Sequence, residues 1–143
     1  MRYSTKNFDD KLRLDFLQKL RYSIYTMKWF QYKQNNSGGS FTVDTNVAHN
    51  VLIQANSADE ADSIAEDVGL YFGGVSSGSD CECCGDRWIP QRTYEWDNSG
   101  DDVPSDYGKP LTEDCDQFRI YPYGILNPVK WSELKSLMVI EPS

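Results

Sequence analysis

The sequence predicts an α+β fold, with a small antiparallel or mixed sheet, helices on one face of that sheet and an additional N-terminal helix. Three observations predict it. Aromatic and β-branched segments indicate strands, a hydrophobic repeat of four residues near the N-terminus indicates an amphipathic helix, and a capping box opens a second helix at Ser57. The length of 143 residues fits one domain. We assign residues 1–26 to a helical extension and residues 27–143 to an α+β core.

The first half of the chain supplies most of the predicted sheet. The N-terminal helical repeat consists of Phe8, Leu12, Phe16, Leu20 and Ile24. Segment 27–33 predicts a strand, and the turn at 34–40 followed by segment 41–44 predicts a hairpin with its return strand. A third strand is predicted at 51–55, and the helix that begins after Ser57 is expected to end at Gly69.

The second half alternates loops with short elements. Residues 70–72 predict a short strand, and residues 73–85 are rich in glycine, serine and cysteine. Residues 97–116 are acidic and interrupted by proline and glycine, so they predict a long loop. A strand at 117–121 and a closing helix at 131–138 complete the predicted core.

The charge balance limits the classes of partner. A formal net charge of −8, from 14 basic and 22 acidic side chains, argues against broad binding to a nucleic-acid backbone. The chain has no apolar run of the roughly 20 residues that span a bilayer. Its charged N-terminus also lacks the apolar region of a secretory signal. We therefore expect a cytoplasmic protein without a membrane partner.

The cysteines suggest either structural thiols or a metal site. The chain has four cysteines, Cys81, Cys83, Cys84 and Cys115. Cys81 and Cys84 form C-x-x-C followed by Gly85, which is the spacing of a zinc knuckle. A structural zinc takes four ligands, and the other soft donors, Cys115 and His49, lie far away in sequence. The sequence therefore favours reduced structural cysteines without a cofactor, with zinc at Cys81 and Cys84 or a reactive thiol as the alternatives.

Two glycine-rich loops are candidate ligand-binding elements. Backbone amides of the turn at 35–40 can form a nest for an anion, Arg87 can hold a phosphate or carboxylate, and Trp88 can stack on a base. The structural alternatives are a plain turn, an Arg87–carboxylate pair and a Trp88 ring in the core. No catalytic residue is predicted, because His49 has no recognisable nucleophile partner. The candidate ligand-binding residues are Asn36, Ser37, Gly38, Gly39, Asp86, Arg87 and Trp88.

Both loops carry distinctive motifs. N-N-S-G-G-S-F occupies residues 35–41, shortly after M-K-W-F at 27–30, and G-V-x-x-G-x-D-C-x-C-C-G-D-R-W occupies residues 74–88. Together these motifs resemble a poorly characterised family of small proteins encoded by tailed bacteriophages. The resemblance covers residues 27–90. It implies a viral origin and a role in the cytoplasm of the infected host bacterium.

The sequence and the resemblance together predict a non-enzymatic phage accessory protein that acts on its host by binding. The expected action is to inhibit or redirect a host protein, including a defence protein, and an acidic surface would make that association sensitive to salt. The alternative is sequestration of a small anionic ligand, such as a nucleotide immune signal, through the glycine and serine loops with Arg87 and Trp88. The oligomeric state is left open.

Overall fold

A computed structural model describes residues 27–93 and 99–139 of the protein. The helix predicted within residues 1–26 lies outside the described residues. The predicted α+β class is confirmed, because small sheets and helices both occur. The elements are β1 (Lys28–Lys33), β2 (Asn50–Ala55), α1 (Ala58–Asp67), the single-turn helix α2 (Gly74–Ser77), β3 (Ser105–Asp106), β4 (Lys109–Pro110), β5 (Phe118–Tyr121) and α3 (Trp131–Val139), with 3-10 turns at Ser37–Gly39 and Gln91–Thr93.

The main sheet is mixed, with the order β1-β2-β5. β2 lies in the centre, antiparallel to β1 and parallel to β5, so that Ile53 opposes both Phe30 and Tyr121. All six residues of β2 are buried. Such a continuous run of buried residues is expected of a strand that is covered on both faces.

The predicted return strand at 41–44 is wrong, because β1 pairs with β2. The side chain of Gln34 accounts for the difference. Its Oε1 accepts a hydrogen bond from the backbone N–H of Thr42 at 2.7 Å, and its Nε2 donates to the carbonyl of Thr42 at 2.9 Å. The side-chain amide of Gln34 thus satisfies both backbone groups of Thr42, which a neighbouring strand would otherwise satisfy. The strand predicted at 70–72 is also not formed.

Helices cover both faces of the sheet, rather than the one face predicted. Side chains alternate along a strand, so neighbouring positions contact opposite layers. The α1 face contains the buried residues Phe30, Tyr32, Val51, Ile53, Ala61, Ala65, Val68, Trp88 and Tyr121. The α3 face contains Trp29, Leu52, Ile120 and Leu134.

Helix α1 begins with the predicted capping box in a shifted form. Ser57 Oγ accepts a hydrogen bond from the Glu60 N–H at 3.1 Å, whereas Glu60 Oε1 accepts from Asn56 N at 2.9 Å. The helix also carries a fully buried carboxylate, Asp62. Its oxygens accept from the hydroxyl of Tyr32 and from the backbone N–H groups of residues 91 and 92, which fixes the turn at 91–93.

The described part of the predicted long loop, residues 99–116, crosses the α3 side of the sheet. It contains the two-stranded β3–β4 ribbon and a bridge between Asp101 and Trp29. Asp114 then accepts hydrogen bonds from the backbone and the hydroxyl of Ser132 at the start of α3. Among the described residues, no helix combines the length and apolar character needed to cross a bilayer.

Candidate functional site: a cysteine loop fixed by Arg87

The two glycine-rich loops lie against each other. The backbone N–H of Asn35 donates to the carbonyl of Arg87 at 2.9 Å, and the Asn35 side-chain amide donates to the carbonyl of Cys84 at 2.6 Å. The Cys81 N–H donates to the buried Ser37 hydroxyl oxygen at 2.9 Å. The structure therefore brings together the two segments that carry the sequence motifs.

The side chain of Arg87, which is 11% exposed, links these loops through hydrogen bonds. Nη1 donates to Gln34 Oε1 at 2.8 Å and to the Ser40 carbonyl at 2.9 Å, while Nη2 donates to the Ser37 carbonyl at 2.8 Å. Nε donates to the Tyr71 hydroxyl oxygen at 3.1 Å. Every nitrogen of the guanidinium group thus binds an oxygen of the protein itself.

A buried carboxylate lies beneath this arginine. Asp80 Oδ2 accepts from the backbone N–H of Arg87 at 2.8 Å, and Oδ1 accepts from the Tyr71 hydroxyl at 2.6 Å. Nε of Arg87 lies 3.7 Å from Oδ1, so the predicted pairing of Arg87 with a carboxylate is confirmed. Burial, followed by the hydrogen bond to Asp80, raises the pKa of Tyr71. A hydrogen-bonded cluster therefore holds the base of the cysteine loop.

Trp88 lies in the core, 1% exposed, which confirms the structural alternative for this residue. In this conformation its ring offers no surface for a stacked base. Asp86 Oδ1 accepts from the Val75 N–H at 2.9 Å, at the start of the short helix α2. Asp86 and Trp88 thus have structural roles on either side of Arg87.

The other predicted ligand-binding residues form the 37–39 turn. Ser37 is buried and bonded to Cys81, whereas Asn36, Gly38 and Gly39 are exposed. Gly38 and Gly39 have φ values of 74° and 85°, a region that glycine adopts without strain. Ligand binding by this turn stays a prediction, without the arginine and tryptophan that were expected to assist it.

Residues 27–129 match the family model described as Domain of unknown function (DUF7296). The chain belongs to this family. The matched range contains all five strands, both glycine-rich loops and all four cysteines. Neither a curated protein nor a solved structure matches the chain.

Three thiols of this DUF7296 domain converge on one side of the loop. The sulfurs of Cys81 and Cys83 are 2.6 Å apart, those of Cys83 and Cys84 are 3.6 Å apart, and all three lie within 4.8 Å of one another. A tight turn brings them together, since the N–H groups of Cys84 and Gly85 both donate to the Cys81 carbonyl. The cluster could hold a metal ion. From the sequence, Cys81 and Cys84 were predicted as the zinc pair, with Cys83 able to replace either one, whereas the structure brings all three thiols together.

The thiols influence one another's ionisation. The hydrogen bond from Cys83 lowers the pKa of Cys81, because it stabilises the thiolate. The same interaction raises the pKa of Cys83 to about 11. Cys81 therefore ionises before Cys83, and all three thiols must lose their protons before three thiolates can bind one cation.

The remaining soft donors of the DUF7296 domain lie outside this cluster. Cys115 is exposed and lines a groove of about 300 Å³ with Phe118 and Trp131 on the α3 side. His49 packs against the ring of Phe41 with the ring centroids 4.3 Å apart, and its buried Nδ1 has no hydrogen-bond partner in the described structure. Neither residue joins the three thiols.

Proposed function

We propose that this DUF7296 domain is a non-enzymatic binding protein that holds a thiophilic metal ion, zinc in the first instance, through the thiolates of Cys81, Cys83 and Cys84. The observation that carries the proposal is the convergence of three sulfurs within 4.8 Å of one another on one short turn. Thiolates are the preferred ligands of zinc and of other soft ions, which hard oxygen ligands hold less well.

The spacing of the thiols supports this proposal. Two thiolates on one tetrahedral zinc are roughly 3.8 Å apart, given Zn–S bonds of about 2.3 Å. The sulfurs of Cys83 and Cys84 are already 3.6 Å apart. Cys81 and Cys83 must separate, which rotation about exposed side-chain bonds permits because Cys83 lies on the surface.

The support beneath the loop also favours binding. Hydrogen bonds donated by Asn35 and Arg87 and accepted by Ser37 and Asp80 hold the turn without the participation of an ion. A preorganised loop loses little conformational entropy when it binds. We therefore expect the ion to add affinity for partners or ligands, rather than to create the fold.

The two functions predicted from the sequence differ in how well they fit this site. Action on a host protein remains a prediction and is compatible with a surface loop that carries a metal ion. Capture of an anionic ligand was predicted through the glycine and serine loops with Arg87 and Trp88, and the side chains of these two residues contact the loop and the core instead. Neither side chain is a ligand in the proposed metal site.

Elemental analysis of protein purified under reducing conditions tests the proposal. We expect about one equivalent of zinc or of another soft metal in the wild-type protein. The triple variant Cys81→Ser/Cys83→Ser/Cys84→Ser should lose it, whereas Cys115→Ser, the matched control, should retain it. Metal-free wild-type protein that also fails to bind added zinc would refute the proposal, as would a triple variant that keeps the metal.

A chelator should lower the melting temperature but leave the protein folded at 25 °C, because the loop is held by the chain's own hydrogen bonds. A ligand that binds only the native state stabilises that state, so its removal lowers the melting temperature. Complete unfolding on chelation would show that the ion is structural and would contradict this part of the proposal.

A further inference from the structure

Among the described residues, the proposed metal site has three ligands, one short of the four that zinc takes. Zinc in proteins is almost always four-coordinate, and the cluster offers three thiols. The only other cysteine and histidine in the whole sequence are Cys115 and His49. Both are among the described residues, and neither contributes an atom to the cluster. Residues 1–26, 94–98 and 140–143 contain no cysteine or histidine.

Neighbouring carboxylates do not complete the site either. Asp80 has a side chain that is 0% exposed and bonded to Tyr71 and to the Arg87 N–H. Asp86 accepts from the Val75 N–H. Glu82 is exposed, and it does not belong to the group of donor atoms that lie within 4.8 Å of one another. Among the described residues, no carboxylate therefore joins the three thiols.

The surroundings leave room for an incoming ligand. Cys83 and Cys84 are exposed, and the neighbouring 37–39 turn is attached to Cys81 through Ser37. That turn carries Gly38 and Gly39, and an added Cβ at either position would meet no atom within 4 Å. The turn that is bonded to the backbone of Cys81 therefore has open space at both of its glycines.

We propose that the fourth ligand is an imidazole from outside this chain, supplied by a histidine of another molecule. This inference rests on the proposed metal site. Three thiolates on a divalent ion already carry a net charge of −1, and the loop also bears Asp80, Glu82 and Asp86 in a protein of net charge −8. A neutral imidazole is a good zinc ligand and adds no further negative charge, whereas a fourth thiolate adds one.

Cobalt(II) in place of zinc tests the inference, because its visible absorption reports the ligand set. The Cys115→Ser/His49→Ala variant removes the other soft donors of the chain and serves as the matched background. On this background we expect a cobalt spectrum like that of the wild type. Titration with imidazole should then change the spectrum in a saturable manner, at one imidazole per cobalt, while a simple monothiol at equal concentration should change it less.

Each outcome decides a different point. Absence of cobalt binding would overturn the proposed function itself. Cobalt bound with a spectrum indifferent to imidazole, or more responsive to the monothiol, would overturn the inference alone. If the cobalt spectra of the double variant and the wild type differ at a concentration where both proteins are monomeric, the chain itself supplies the fourth ligand. That result would also overturn the inference. Metal-dependent dimerisation that His49→Ala abolishes would support the inference and identify the source as a second copy.

Discussion

At the scale of single residues, Arg87 and Asp80 form the centre of the candidate site. Arg87 donates to Gln34, Ser37 and Ser40 on one loop and to Tyr71 on the other side. The sequence predicted two alternatives for this arginine, a ligand-binding role and a pair with a carboxylate, and the structure shows the pair. Arg87 lies at this position because the buried carboxylate of Asp80 requires hydrogen-bond donors from the protein, since water does not reach it. A charged side chain near a glycine loop therefore need not face a ligand.

Gly74 provides the space for that carboxylate. An added Cβ at this position would lie 1.8 Å from Asp80 Oδ2 and 2.8 Å from a ring carbon of Tyr71. We therefore expect Gly74→Ala to displace Asp80 from its donors and to destabilise the protein by about 2 kcal/mol or more. Urea unfolding monitored by fluorescence measures the change in the free energy of unfolding.

Gly39→Ala is the matched control for this substitution. Unlike Gly74, Gly39 has a positive φ, of 85°, but an added Cβ would meet no atom within 4 Å. Its cost should be limited to backbone strain, about 1 kcal/mol. An equal or smaller loss for Gly74→Ala would show that Asp80 can move without penalty and would contradict the role assigned to it.

At the scale of elements, the sequence predicted what local patterns encode and missed what side chains decide over a distance. β1, β2, β5, α1 and α3 follow from strand composition, the capping box at Ser57 and the hydrophobic spacing near residue 131. The false strand at 41–44 has suitable residues, but Gln34 occupies its hydrogen-bonding groups. No local pattern reveals that competition.

The same limit applies to the candidate site. The motifs indicated the two loops and the cysteines, and the structure places them in contact. The partly buried position of Arg87 and the buried position of Trp88 could not be predicted, because they depend on Asp80 and on packing from the α1 face. A glycine and cysteine pattern specifies a turn, whereas burial is set by the entire fold.

Gln34 should thus determine the path of residues 40–43. Its side chain is buried and bonds to both backbone groups of Thr42, to the Ala48 carbonyl and to Arg87. We expect Gln34→Leu, which keeps the size and removes the amide, to cost on the order of 2–3 kcal/mol. The Thr42 amide should also exchange faster with solvent, measured by hydrogen–deuterium exchange.

Gln117→Leu is the control for this experiment, since residue 117 is exposed. It should change the free energy of unfolding by less than about 0.5 kcal/mol and should leave Thr42 protected. Unchanged protection of Thr42 in Gln34→Leu would argue that residues 40–43 are held by other contacts.

At the scale of the whole molecule, the cysteine loop depends on a core that covers both sides of a small sheet. The α1 face and the α3 face have separate buried clusters, joined through the strands between them. Trp88 follows Arg87 directly, so the loop enters the α1-side core at the point where its internal hydrogen bonds end. Stability of the core and geometry of the thiols are therefore coupled on one side of the sheet.

This coupling predicts different outcomes for two tryptophans. Trp88 is 1% exposed in the α1-side cluster, so Trp88→Ala should cost about 3 kcal/mol and shift the urea midpoint. Trp131 is partly buried in the α3-side cluster, beside a groove, so Trp131→Ala should cost less. At matched folded fraction, zinc affinity measured by competition with a chromophoric chelator should fall for Trp88→Ala and stay unchanged for Trp131→Ala. Equal effects of the two substitutions on zinc affinity would mean that the geometry of the cysteine loop does not depend on Trp88.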